Sequence, residues 1–160
     1  MIAILVTTSH NAVRITLEHE QGITLITIDC AVAKDNTLQL LEEYMNNVTP
    51  DILITYRCPY ILPQDIFSLP RLGAFNIHPS LLPKYPGLNP WEAIFRIHER
   101  EGGVTVHQIT KQVDAGSIVF QRSFRIEETN TLEIARMKAD RLAAELVEQL
   151  ISKICCQSSF

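Results

Sequence analysis

Two short runs of consecutive apolar residues constrain the fold of this chain more than any other feature. IAILV (residues 2–6) and DILIT (residues 51–55) are rich in β-branched residues and hardly alternate with polar ones. Such runs are typical of strands covered on both faces, as in parallel sheets. Between them, LQLLEEYMNNV (residues 38–48) has apolar residues at helical spacing. The pattern predicts an α/β fold: a single Rossmann-like domain with a mainly parallel central sheet flanked by helices.

The rest of the chain continues the alternation of strands and helices. The predicted elements are a strand at 73–77, a helix at 89–100 with Asn89 as N-cap and Pro90 at its first position, an antiparallel strand pair at 103–109 and 117–126, and a long amphipathic helix from about Thr131. Residues 9–28 fit either a helix or a hairpin that turns at Gln21 and Gly22. The sequence does not decide between them.

Length, charge and cysteine spacing limit the classes of protein. With 160 residues, 46% of them hydrophobic, we expect residues 1–160 to form one domain. A net charge of -4 argues against a nucleic-acid partner, because phosphate binders usually carry a basic surface. The N-terminus is apolar only as far as Val6, so we expect no signal peptide or membrane span and a cytoplasmic location. The four cysteines lack metal-ligand spacing, which predicts reduced thiols and no metal.

A stiff segment, FNIHPSLLPKYPG (residues 75–87), follows the strand at 73–77. Asn76 and His78 are two residues apart, so their side chains project from the same face of a strand. Pro79, Pro83 and Pro86 restrict the backbone, which would hold this pair on a rigid rim. An amide donor beside a base is suited to catalysis. Taken alone, however, the pair has a structural alternative, in which both side chains only form hydrogen bonds with nearby backbone groups.

A second polar signal is QVDAG (residues 112–116), in the predicted connection between the last two strands. Asp114 can act as an acceptor at a site, or can simply stabilise its own turn. Together with Asn76 and His78 it suggests acyl-type transfer, in which the asparagine stabilises an oxyanion and the aspartate orients the histidine. The sequence has no nucleophile elbow, zinc-binding helix motif or P-loop. Direct attack by a substrate amine on a carbonyl needs none of these.

NIHPSLLPKYPG, followed by GVTVHQITKQVDAG, resembles the signature of the tetrahydrofolate-dependent formyltransferase family. The likeness covers roughly residue 50 to the final helix. In motif it is nearest to the phosphoribosylglycinamide formyltransferases, and looser to the methionyl-tRNA and sugar amine formyltransferases. The resemblance implies that Asn76 holds the oxyanion, that His78 assists proton transfer and that Asp114 positions His78 or a bridging water.

The resemblance also implies a folate pocket and a set of supporting residues. Ile61, Leu62 and Ile109 match apolar pterin-pocket positions, although ordinary core residues would read the same way. Gly116 is assigned to the same cofactor-binding set, because glycine permits the close approach of a ligand. Four further residues match positions that support the site or contact the substrate: Thr105, His107, Ser9 and Asn11. A structural role within its strand is an equal alternative for His107. The stretch TTSHNAV lacks the glycines that hold a substrate phosphate in the phosphoribosylglycinamide enzymes, and residues 9–28 look short for the family's first helix and second strand.

The implied function is transfer of a formyl group from 10-formyltetrahydrofolate to a small primary amine. By motif this amine would be glycinamide ribonucleotide, a substrate of purine biosynthesis. The alternatives are a sugar amine N-formyltransferase, for which GLNPWEAIF (residues 87–95) is the better match, and a non-catalytic folate or nucleotide binding module. We expect folate and a small amine as partners, and not tRNA. The net charge is negative, and this sequence lacks the domain that is appended to the tRNA enzyme. A homodimer is left open.

Overall fold

A six-stranded sheet forms the centre of the chain, which the computed structural model describes over residues 1–8 and 11–157. Its order is β2-β1-β3-β4-β5-β6. The strands are β1 (Ile2–Thr7), β2 (Thr24–Asp29), β3 (Ile52–Tyr56), β4 (Ala74–His78), β5 (Glu101–Gln108) and β6 (Ile118–Arg125). The first four strands are parallel, whereas β5 is antiparallel to both β4 and β6. The predicted α/β fold with a mainly parallel sheet is therefore confirmed.

Within the described residues, six α-helices flank the sheet. They are α1 (Ala12–His19), α2 (Cys30–Ala33), α3 (Thr37–Val48), α4 (Gln64–Phe67), α5 (Pro90–Arg96) and α6 (Leu132–Gln157). Helix α5 has Pro90 in its first turn and Asn89 at the N-cap position, but the Asn89 side chain makes no capping hydrogen bond. The prediction that this helix reaches residue 100 is wrong, because His98 adopts a left-handed backbone conformation with φ of 53° and the chain turns there.

The ambiguous stretch at residues 9–28 contains a helix and a strand. Helix α1 begins after Asn11, whose side chain accepts a hydrogen bond from the Arg14 amide. Strand β2 then pairs in parallel with β1, with Thr24 opposite Ile2. Parallel neighbours need a crossover connection, which α1 supplies, so the hairpin alternative is wrong. Ser9 lies outside the described residues.

Two hydrophobic cores lie on opposite faces of the sheet, and β1 contributes to both. Ala3 and Leu5 belong to the first core, with side chains from α1, α5 and α6. Ile4 and Val6 belong to the second core, with side chains from α2, α3 and α4. Because successive strand residues point to opposite faces, an uninterrupted apolar run supplies both cores at once.

On β4 and β5 the second face of the sheet becomes polar. Phe75 and Ile77 of β4 join the first core, as do Val104 and Val106 of β5. The intervening residues point the other way: Asn76 and His78 on β4, Thr105 and His107 on β5. Asn76 is paired in register with Thr55 of β3 on one side and with His107 on the other. We call Thr55, Asn76 and His107 the polar row. A register shift follows in β5, between Val106 and His107, where β5 pairs with β6.

Candidate active site

A cavity of about 810 Å³ lies over the polar row. All three members of the row line it, together with His78 and Asp114. Its remaining walls are mainly apolar, and they come from the segments after β3, after β4 and after β5. The apolar and aromatic wall residues include Ile61, Leu62, Leu88, Trp91, Ile109 and Val113. An apolar cavity with a few convergent polar groups is the usual form of a small-molecule site.

The Asn76 side chain is held at both ends of its amide. Its Oδ1 accepts a hydrogen bond of 2.8 Å from the Thr55 hydroxyl. Its Nδ2 lies 3.1 Å from His107 Nε2 and 3.5 Å from Asp114 Oδ1. The amide nitrogen has two hydrogens, one for each of these contacts, and the contact with Asp114 is the longer and weaker of the two.

The tautomer of His78 follows from its backbone partner. His78 Nε2 lies 2.9 Å from the Tyr85 carbonyl oxygen, which only accepts hydrogen bonds, so Nε2 carries the proton. In the neutral ring Nδ1 is then the acceptor, and it lies 3.6 Å from Asp114 Oδ2. Burial is the main influence on this ring and lowers the pKa of His78 below its usual value, against the opposing effects of the Tyr85 carbonyl and Asp114. A neutral His78 can accept a proton at Nδ1, and the adjacent carboxylate would stabilise the resulting cation.

Asp114 connects the two histidines and the loop after β4. Its Oδ2 accepts a hydrogen bond of 2.7 Å from the Gly87 amide, and its Oδ1 lies 3.5 Å from His107 Nε2. Burial alone would raise its pKa, but the neighbouring His107, the hydrogen bond from the Gly87 amide and the nearby His78 outweigh that effect, so the pKa of Asp114 is lowered. Its backbone is left-handed, with φ of 54°, which aspartate tolerates better than most residues. Asp114 is therefore an ionised group held in a fixed position.

Thr105 holds the loop that follows β4 in place through hydrogen bonds. This loop (residues 79–87) is called the proline-rich loop below. The Thr105 hydroxyl donates a hydrogen bond of 2.7 Å to the Ser80 carbonyl and accepts one of 3.1 Å from the Leu82 amide. The Gln121 side chain bonds both the Thr105 hydroxyl and the Leu82 carbonyl, each at 2.8 Å. Ser80 in turn donates 2.8 Å and 3.1 Å bonds to the carbonyls of Lys84 and Tyr85. Thr105 is buried beneath the loop and supports the segment that fixes His78 and Asp114.

The three apolar residues assigned to a pterin pocket all line the cavity. Ile61 is 73% exposed, so an ordinary core role does not describe it. Leu62 is 7% exposed and belongs to the second core as well as the cavity wall. Ile109 is partly buried and packs against that core. One wall of the cavity is thus continuous with the second core, and its outer edge is open to solvent.

Two other predicted residues lie outside this cluster. Gly116 does not line the cavity; a Cβ added to it would stand 1.8 Å from the Gln108 carbonyl oxygen, so glycine is required there by close backbone packing. Asn11 caps α1 and donates a 2.8 Å hydrogen bond to the Thr7 hydroxyl. The structure therefore brings Asn76, His78, His107 and Asp114 together, but not these two.

Several groups at the cavity did not stand out in the sequence. The Tyr85 carbonyl and Gly87 amide belong to the backbone and leave no sequence signal. Thr55 is the polar residue that ends an apolar strand run, and pairing β3 with β4 in register would have placed it beside Asn76. Arg57 also lines the cavity, where its Nη2 lies 2.7 Å and 2.9 Å from the carboxylate oxygens of Asp140.

Across residues 1–8 and 11–157, no three His, Cys, Asp or Glu side chains are grouped so that they could hold a metal ion. Over the same ranges, no helix has both the length and the apolar character needed to cross a bilayer.

Comparison with known proteins identifies related chains. The family model described as "Formyl transferase" matches residues 1–151. The chain is 37% identical over 112 residues to methionyl-tRNA formyltransferase from Thermotoga neapolitana, an alignment that covers 70% of this chain and 36% of that protein. It is 44% identical over 89 residues to the bifunctional polymyxin resistance protein ArnA from Wigglesworthia glossinidia brevipalpis, covering 56% of this chain and 14% of that one. The chain thus spans about a third or less of the length of these curated relatives.

A solved structure supports the same fold. Phosphoribosylglycinamide formyltransferase from Bacillus halodurans superposes with a TM-score of 0.73. The alignment covers 94% of this chain and 96% of that one at 20% sequence identity. At this identity the likeness establishes the architecture.

Proposed function

This chain belongs to the formyl transferase family, and from that premise we propose that it transfers a formyl group from 10-formyltetrahydrofolate to a primary amine. One observation carries the proposal: Asn76, His78 and Asp114 converge on the wall of a single cavity, with His78 Nδ1 3.6 Å from Asp114 and Asn76 Nδ2 3.5 Å from it. On this proposal, residues 1–160 act as one catalytic domain.

The reaction assigns a separate task to each of the three side chains. The amine nitrogen attacks the formyl carbon, and the carbonyl oxygen becomes an oxyanion that can accept a hydrogen bond from Asn76 Nδ2 in place of the long contact with Asp114. The attacking nitrogen then loses a proton, which His78 accepts at Nδ1 while Asp114 stabilises the charged ring. When the tetrahedral intermediate collapses, the bond from carbon to N10 of the folate breaks, and N10 takes up the proton that His78 had accepted, which returns the ring to its neutral form. The products are the N-formyl amine and tetrahydrofolate.

The shape of the cavity supports a folate donor. Ile61, Leu62 and Ile109 offer an apolar wall suited to a flat ring system, and they lie beside the polar row. Binding the donor there would bring its formyl group over Asn76. We therefore assign Ile61, Leu62 and Ile109 to the donor side of the site, with Gly116 holding the loop that carries Asp114.

The acceptor is proposed to be a small amine, either glycinamide ribonucleotide or an amino sugar nucleotide. A methionyl-tRNA acceptor is the second candidate, and the 37% identity to a methionyl-tRNA formyltransferase favours it. The net charge of -4 favours the small amine, because tRNA binding needs clustered positive charge. A folate-binding module without turnover is the alternative from another class.

An amine panel tests these proposals. The protein is mixed with 10-formyltetrahydrofolate and, in separate reactions, with glycinamide ribonucleotide, an amino sugar nucleotide, methionyl-tRNA or no amine, and release of tetrahydrofolate is followed. We expect turnover with one of the two small amines and little release without amine. Folate binding with no turnover in any reaction would support the binding module and overturn the proposed activity.

A further inference from the structure

We infer that a directed chain of hydrogen bonds along the polar row, from Thr55 through Asn76 and His107 to the Gln108 carbonyl, fixes which end of the Asn76 amide faces the cavity. Thr55 is thereby assigned as a positioning residue for the proposed formyl transfer. The inference rests on the proposed function only for its kinetic consequence, since the direction of the chain follows from the contacts themselves.

The direction of the chain is set at its far end. His107 Nδ1 lies 2.9 Å from the Gln108 carbonyl oxygen. A carbonyl oxygen has no hydrogen to give, so Nδ1 is the protonated nitrogen and, in the neutral ring, Nε2 is an acceptor. The atom of Asn76 that lies 3.1 Å from Nε2 must then be a donor, which identifies it as Nδ2.

The nearby carboxylate requires the same orientation of the amide. Asp114 Oδ1 lies 3.5 Å from Asn76 Nδ2. An amide turned the other way would place its oxygen against both a carboxylate and the lone pair of His107. With Nδ2 on this side, Oδ1 faces β3 and needs a donor there.

Thr55 supplies that donor. Its hydroxyl lies 2.8 Å from Asn76 Oδ1, and no other side-chain donor to this oxygen is found in the part of the chain that the structure describes. Thr55 is 4% exposed and lies directly opposite Asn76 in the strand pairing. Both atoms of the amide thus have partners, and only the long contact of 3.5 Å between Nδ2 and Asp114 Oδ1 has to be exchanged for a group in the cavity.

Thr55→Val tests the assignment, because valine keeps the branched shape and removes only the hydroxyl. We expect kcat to fall about 10-fold, which corresponds to loss of one hydrogen bond worth about 1.4 kcal/mol, while the KM for folate changes less than about two-fold. Thr55→Ser restores the hydroxyl and should recover most of the rate. In an Asn76→Ala background, Thr55→Val should cost no further rate, since it acts through Asn76.

Thr37→Val is the matched control. Thr37 is also fully buried, and its hydroxyl donates a 2.7 Å hydrogen bond to the Lys34 carbonyl, but it does not line the cavity. It should lower stability without changing kcat. An equal loss of kcat in the two variants, or undiminished loss from Thr55→Val in the Asn76→Ala background, would overturn the inference.

A second measurement keeps the inference testable if no amine is turned over. In protein with 15N-labelled asparagine, the side-chain amide signals of Asn76 are identified as the pair missing from Asn76→Ala. We expect Thr55→Val to shift this pair and to speed its exchange with water, and Thr55→Ser and Thr37→Val to leave it near its original position. Unchanged Asn76 signals in Thr55→Val would contradict the chain of hydrogen bonds whatever the enzyme's activity.

Discussion

Two buried histidines, His78 and His107, lie next to the two carboxylate oxygens of Asp114, and they are held in opposite ways. His78 is held through Nε2 by the Tyr85 carbonyl of the proline-rich loop, and its Nδ1 faces Asp114 at 3.6 Å. His107 is held through Nδ1 by the backbone of its own strand, and its Nε2 is already engaged by Asn76. The difference separates their chemistry: His78 has a ring nitrogen free to take a proton, whereas His107 uses its acceptor to orient an amide.

Removing the group that both sides share should have the largest effect. We expect Asp114→Ala to lower kcat at least about 100-fold, and Asn76→Ala to do the same, because each removes an oxyanion donor or a positioning charge. Asp114→Asn keeps the left-handed backbone tolerable and removes the charge alone, so it should still lose most of the rate. Tetrahydrofolate release measures turnover, and circular dichroism checks the fold.

Asp65→Ala is the control for this first test, since Asp65 is exposed on α4 and does not line the cavity. It should retain the rate of the unmodified protein. Near-normal turnover in Asp114→Asn would show that the carboxylate charge is not needed, and near-normal turnover in Asn76→Ala would rule out its oxyanion role.

Replacing each histidine in turn tests the difference in role between His78 and His107 directly. We expect His78→Gln to lower kcat on the order of 100-fold, as for loss of a general base. His107→Gln should cost about 10-fold, as for loss of one orienting hydrogen bond. Similar losses in the two variants would mean that the histidines share one task.

The pH profile sharpens the same test. Burial lowers the pKa of His78 below its usual value of 6.5, so the ring is still neutral at that pH. We therefore expect kcat to fall only when the pH drops below 6.5. The acidic limb should persist in His107→Gln and disappear in His78→Gln. An acidic limb that survives in His78→Gln would assign it to another group.

The smallest effect on rate is expected beneath the proline-rich loop. Thr105→Val removes a hydroxyl that bonds Ser80, Leu82 and Gln121, and it leaves buried backbone groups unsatisfied. We expect a loss of about 1–3 kcal/mol in the free energy of unfolding, measured with denaturant, and a change in kcat below about five-fold. A large loss of kcat without loss of stability would place Thr105 in the chemistry instead.

Sequence reasoning found the parts of the fold and site that are determined locally. Apolar runs predicted β1 and β3, and the two-residue spacing correctly placed Asn76 and His78 on one face of β4. Residues 9–28 are not resolved in this way, because a helical and an alternating pattern both fit their apolar positions. Nor did sequence reasoning find the roles of Thr55, the Tyr85 carbonyl or the Gly87 amide, which depend on how distant segments meet. The contacts of Gly116 and Asn11 likewise depend on tertiary packing.

Successive residues of β5 face opposite sides of the sheet, so a shift of the strand by one residue would turn its site residues away from the cavity. Val106 and His107 are neighbours in the chain but belong to opposite faces, one in the first core and the other in the cavity. Deleting one residue earlier in β5 would move each later residue one position along the strand, which would turn His107 into the first core and bring Gln108 opposite Asn76. A single insertion or deletion within β5 therefore moves the site residues off the cavity face unless a local irregularity, such as the register shift between Val106 and His107, absorbs it.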